Sequence, residues 1–111
     1  MKESKAVDLL QGTHNMMILQ MLQRGAANGY EIAKAIEQRS DELLQVEHGS
    51  LYPALRRLQT KGFIKAEWRV SPTNRQARYY TLTAAGKKQV LIEHSRWRSL
   101  VHAITRVMKP V

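Results

Sequence analysis

The chain contains no cysteine, which excludes disulfide frameworks and thiolate metal sites. It has no long apolar run either. The longest wholly apolar stretch is Met16 to Leu19, far short of the ~20 residues that span a bilayer. Met1-Lys2-Glu3-Ser4-Lys5 leads into no hydrophobic signal region, so a cytoplasmic protein without membrane association is expected. Acidic residues are scarce: Asp plus Glu total 9 against 18 Lys plus Arg, a formal charge of +9 on 111 residues. A domain this basic points to a polyanionic partner, nucleic acid first. Also missing is any Ser-His-Asp arrangement, paired-carboxylate constellation or glycine-rich phosphate loop, so no enzyme and no cofactor are expected. The four histidines (His14, His48, His94, His102) show no metal-ligand spacing. His94 and His102 alone would lie about 12 Å apart along a helix, so no metal site is expected.

What is present begins with Glu47 to Leu58. As a helix this stretch sets Leu51, Leu55 and Leu58 on one face, at i, i+4 and i+7. Away from that ridge stand Ser50, Tyr52, Arg56 and Arg57, with Lys61 a turn further on. Guanidinium groups can grip guanine edges or phosphates, and hydroxyls bond phosphates or either base type. Pro53 lacks a backbone N–H and belongs near a helix start, which predicts that this helix begins between His48 and Ser50. Its polar residues then sit near the positive end of the helix dipole, where phosphate is favoured.

A first helix is predicted from Thr13, as N-cap, to Arg24, with Gly25 beyond its end and Met16, Met17, Leu19 and Leu22 inward. After the small-residue turn Gly25 to Gly29, a second helix runs from Tyr30 to Gln38 on Ile32, Ala33 and Ile36; Gly29 would allow a close approach. Leu43 to Val46 reads as a short extended piece, and Gly62 ends the third helix. The period then changes. Ile64, Ala66 and Trp68 alternate with Lys65, Glu67 and Arg69, predicting a strand with one buried face. Ser71-Pro72-Thr73-Asn74 turns the chain, and Ala77 to Leu82 returns with Tyr80 and Leu82 inward and Tyr79 on the opposite face. The hairpin is basic, with Arg69, Arg75 and Arg78. Three helices and a basic hairpin describe a winged helix-turn-helix, mainly α with a small β-hairpin.

Thr83 caps a long fourth helix from Ala84 to Met108, ~37 Å at 1.5 Å per residue. Val90, Trp97 and Ile104 recur at heptad spacing as a positions, and His94, Val101 and Met108 fall at d; Leu100 and Val107 widen the stripe. So small a domain cannot cover that stripe along its whole length, which makes a second copy of the helix the expected partner and the chain a homodimer. The expected division is a DNA-binding unit at 1–83 and a dimerisation helix at 84–111.

Leu10-Gln11-Gly12-Thr13, Gly29-Tyr30-Glu31-Ile32, Gly49-Ser50-Leu51-Tyr52-Pro53-Ala54-Leu55, Arg78-Tyr79-Tyr80-Thr81-Leu82-Thr83 and Ala85-Gly86 occur in order across most of residues 9 to 86. With these segments the chain resembles the PadR family of transcriptional regulators, in its short form with a single C-terminal dimerisation helix. Asn28 departs from the pattern, standing where many members have histidine, and His14-Asn15 replaces a more common Leu-Asp. The resemblance implies a homodimeric repressor on an inverted-repeat, double-stranded DNA operator. It also implies that a small aromatic or cationic effector binds at or near the dimer interface, where Trp97 would stack on it.

The residues expected to meet DNA are Tyr30, Ser50, Tyr52, Pro53, Arg56, Arg57 and Lys61 from the helices, and Thr73, Asn74, Arg75, Arg78 and Tyr79 from the hairpin. Those expected in the dimer interface are Val90, His94, Trp97, Leu100, Val101, Ile104 and Met108. Two other functions fit a basic winged helix: a nonspecific architectural DNA binder, and a protein-interaction module whose charge is incidental. The salt dependence and sequence preference of binding separate the three.

Overall fold

A computed structural model describes the backbone of residues 2–110 and the side chains of residues 12–110. Met1 and Val111, and the side chains of Leu10 and Gln11, lie outside the described residues. In chain order the elements are α1 (Lys2–Leu22), β1 (Ala27–Asn28), α2 (Gly29–Arg39), α3 (His48–Thr60), β2 (Ile64–Val70), β3 (Gln76–Leu82) and α4 (Ala84–Met108). This is a winged helix-turn-helix with a long C-terminal helix, as the sequence patterning predicts.

The core is a helical layer closed by the base of the hairpin. Ile18, Leu19 and Leu22 of α1 meet Ile32 and Ile36 of α2, then Leu51, Leu55 and Leu58 of α3, with Ile64 and Tyr80 from the strands. The α1 boundary corrects the sequence reading: Thr13 lies inside the helix and is not its N-cap. Residues 2–11 are mostly good helix formers without proline, and a lone Gly12 costs only about 1 kcal/mol. The Leu43–Val46 segment, read as a short extended piece, lies outside the helices and the sheet. Its backbone is held by side chains instead: the Ser40 hydroxyl accepts from Leu44 N–H (3.0 Å) and the Glu37 carboxylate from Val46 N–H (3.0 Å). The turn begins with Asp41 and Glu42 in the left-handed region, at φ 52° and 64°.

Three short-range features fix the starts of α2 and α3 against the hairpin. Ala27 and Asn28 pair with Tyr80 and Tyr79, giving a sheet of order β1-β3-β2 and tying the start of α2 to the hairpin. Asn28 then caps α2 reciprocally: its side chain accepts from Glu31 N–H (2.8 Å) while the Glu31 carboxylate accepts from Asn28 N–H (2.9 Å). The residue that departs from the family pattern is thus a working helix cap. Helix α3 starts at His48, within the range that Pro53 implies, yet Pro53 sits in the second turn rather than the first. There its missing N–H leaves the carbonyl of Gly49, an exposed residue, without its intrahelical donor.

Thr83 caps α4 by accepting from Gly86 N–H (3.0 Å), and its hydroxyl donates to the Gly62 carbonyl (2.6 Å). Within α4 only Gly86 and Val90 are buried. Val90 is therefore a correction. At 4% exposure it belongs to the protomer's own core and is not available to a partner. From His94 onward the apolar stripe is exposed: Trp97, Leu100, Val101, Ile104 and Met108 all face solvent. No helix of the described residues is long and apolar enough to cross a membrane.

Candidate nucleic-acid interface

The start of α2, one flank of α3 and the inner face of the hairpin enclose an open cleft of about 670 Å³. Its α3 wall is Tyr52, Arg56 and Gln59, which the helical pitch stacks at i, i+4 and i+7. Its α2 wall is Gly29 and Tyr30, and the hairpin contributes Trp68, Thr73, Arg75 and Arg78. Tyr80 is the buried floor. Burial pushes the Tyr80 hydroxyl pKa up, Arg78 nearby works against this, and Tyr52 adds to it, so the phenol stays a neutral donor.

Tyr52 is held in place from two sides. Its ring stacks with His48 at 6.0 Å between centroids and 20° between planes. On the other side it lies over Gly29, where an added Cβ would come within 3.2 Å of the hydroxyl. Gly29 thus allows the close approach that its sequence context suggested. Tyr30 is exposed and accepts from Lys34 Nζ at 3.3 Å; the ammonium also sits 5.6 Å from the ring centroid. That leaves the Tyr30 hydroxyl proton free to point outward. Among the described residues the one carboxylate in the cleft, Glu31, is engaged by the Asn28 N–H. With Arg56, Arg75 and Arg78 around it, the cleft is strongly positive.

Of the residues expected to meet DNA, the structure gathers Tyr30, Tyr52, Arg56, Thr73, Arg75 and Arg78 around this cleft. Ser50, Arg57 and Lys61 lie on the other flank of α3, Pro53 lies nearer the crest, and Asn74 (φ 61°) is at the hairpin tip. All but Arg57, which is half-buried, are exposed. Tyr79 is a correction: only 8% exposed, it is covered by the Arg69 guanidinium 5.5 Å from its ring centroid, with Arg69 paired to Glu67. It cannot present its ring to an outside partner.

Sequence reasoning missed Gln59 and Trp68, both of which line the cleft. Gln59 was findable, three residues beyond Arg56 on the same flank. Trp68 was read as core. Its strand face does point to the core at Ile64 and Ala66, paired with Leu82 and Tyr80. By Trp68, paired with Arg78, the hairpin has passed the edge of the helical layer, and the same face becomes a cleft wall.

The sequence model of the PadR-like family of transcriptional regulators matches residues 18–91. The chain belongs to this family. Among characterised relatives, the negative transcriptional regulator PadR of Bacillus subtilis (strain 168) is 31% identical over 80 residues, 69% of this chain and 44% of that protein. The chain thus spans less than half the length of this PadR relative. Among solved structures, a transcriptional regulator from Clostridium thermocellum superposes with a TM-score of 0.82 at 31% identity, over 92% of this chain and 96% of the other. A PadR family transcriptional regulator from Eggerthella lenta gives 0.75 at 27% identity, over 98% and 93%. In this PadR-family chain the matched region holds α2, α3, the hairpin and the first turns of α4.

Proposed function

We propose that this PadR-family chain is a homodimeric repressor that binds an inverted-repeat operator in the cytoplasm. Residues 1–83 contact DNA and residues 84–111 join two copies. The observation that carries the reading is the positive, hydroxyl-lined cleft between α2, α3 and the hairpin, built from residues on three separate elements. A dimer would set two α3 helices about one DNA turn apart, ~34 Å, and so favour a pseudo-palindrome. Repression, rather than activation, draws on the negative regulation named for the Bacillus subtilis relative.

Arg56 tests the DNA contact. It lines the cleft beside the hairpin, where a phosphate contact is the expected one. Arg56→Ala should weaken binding to operator and random duplex by similar factors and lower the salt slope by about one unit. A loss confined to the operator would make Arg56 a base reader instead. Unchanged binding on both would count against the cleft as the DNA site.

Effector release is the second part of the proposal. A cavity of about 380 Å³ lies between α1, the end of α2 and α4, lined by Met16, Met17, Met21, Leu44, His94 and Trp97. Thioether and indole groups suit flat aromatic molecules, and Arg39, which also lines the cavity, disfavours a cationic one. Such compounds, titrated against the wild type, should quench tryptophan emission and lower operator affinity, and Trp97→Phe should abolish the quenching. Equal quenching in Trp97→Phe would exclude this site.

A further inference from the structure

Trp68 is the one large aromatic on the hairpin that neither the core nor DNA reading has accounted for. It is 64% exposed, and a tryptophan left in water at the edge of a charged cleft forgoes burial of a large apolar surface. Its orientation is not free. Arg78, its partner across the β2–β3 ladder, lies with its guanidinium 5.7 Å from the ring centroid, and both residues line the cleft. Across the cleft stand Tyr52, Arg56 and Gln59.

We infer that this cleft straddles a single sugar–phosphate strand and that Trp68 is its wing-side wall, the indole N–H donating to a backbone phosphate. The inference rests on the DNA-binding reading above. On a duplex, a helix seated in the major groove and a hairpin reaching the adjacent minor groove are separated by one backbone strand and nothing else. The space between α3 and the hairpin must hold that strand. Its chemistry fits. The outward polar groups of Tyr30, Tyr52, Arg56, Gln59, Trp68 and Arg78 all offer donors, and phosphate oxygens only accept. The indole is donor-only, and its flat apolar face suits the deoxyribose beside the phosphate.

The bland alternative is that Trp68 merely stiffens the hairpin by carrying Arg78. The full chain labelled with 5-fluorotryptophan separates the two, because its two tryptophans give two fluorine resonances and Trp68→Phe assigns them. Titration with duplex, followed in parallel by fluorescence anisotropy of the DNA, should shift the Trp68 resonance in step with binding. Trp68→Phe should lose about tenfold in affinity on operator and random DNA alike, the size expected for a hydrogen bond to a charged group. Replacing the phosphates between the two contacted grooves by neutral methylphosphonates should penalise the wild type more than Trp68→Phe. A purely structural Trp68 would leave that penalty equal in both. Duplex binding with an unmoved Trp68 resonance and equal penalties overturns this assignment alone. No duplex binding at all overturns the DNA-binding reading and this inference together.

Discussion

Gly86→Ala is expected to lower the melting temperature by more than about 10 °C, corresponding to a loss of more than about 2 kcal/mol. A Cβ at this position would fall 1.9 Å from the Phe63 carbonyl oxygen and 2.9 Å from its carbon, with Leu82 Cδ2 at 3.1 Å. The obstacle is backbone, and the backbone is pinned. The same Phe63 carbonyl accepts from Thr83 N–H (3.0 Å), and the Thr83 hydroxyl donates to Gly62, which closes α3 at φ +80°. Moving α4 away to admit a methyl would break the Thr83 cap and withdraw Val90 from the core. Gly12→Ala is the matched control. It has open space around it and lies within α1, so it should be neutral or stabilising by up to about 1 kcal/mol. Thermal melts by circular dichroism measure both. A Gly86→Ala melt within a degree or two of wild type would mean that α4 is not seated as described.

The second large effect concerns pairing. Val101→Glu with Ile104→Glu should give a folded monomer that has lost inverted-repeat binding by ~10²-fold or more, because two linked half-site contacts become one. Both side chains are exposed in the protomer, 40% and 50%, so neither contributes to its own core and the melt should be little changed. In a dimer each charge would be buried against the partner's apolar stripe without a counter-ion, which is costly. Light scattering gives the mass, and titration with a full and a half operator gives the affinity. Retention of the dimer by this variant would place the interface elsewhere than on α4.

Much of this was readable from residues because each feature had a local cause. The 3.6-residue spacing of Ile32, Ala33 and Ile36, and of Leu51, Leu55 and Leu58, marks which helix faces are buried, and those residues are the core. Thr83 and the alternation from Ile64 mark real boundaries, since capping and pleating act over a few residues. What escaped depends on distant parts of the chain. Two residues of β1 carry no period and become a strand only because β3 is alongside. Alternation assigns Trp68 to a face but cannot say that the helical layer ends before it. Tyr79 alternates outward as read, yet Arg69 folds over it. Val90 fits the heptad of α4 and also the core, and in the folded chain it joins the core cluster. Ser50 shares the exposed side of α3 with Tyr52 and Arg56, but only the position of the hairpin divides that side into a cleft flank and an outer flank.

The most direct test of a dimeric operator reader is selection of bound duplexes from a pool of random DNA by the intact protein. Enrichment of a pseudo-palindrome whose half-sites lie about 10 base pairs apart, centre to centre, is the predicted result. Sequence-insensitive binding, or enrichment of one unpaired half-site, would contradict it.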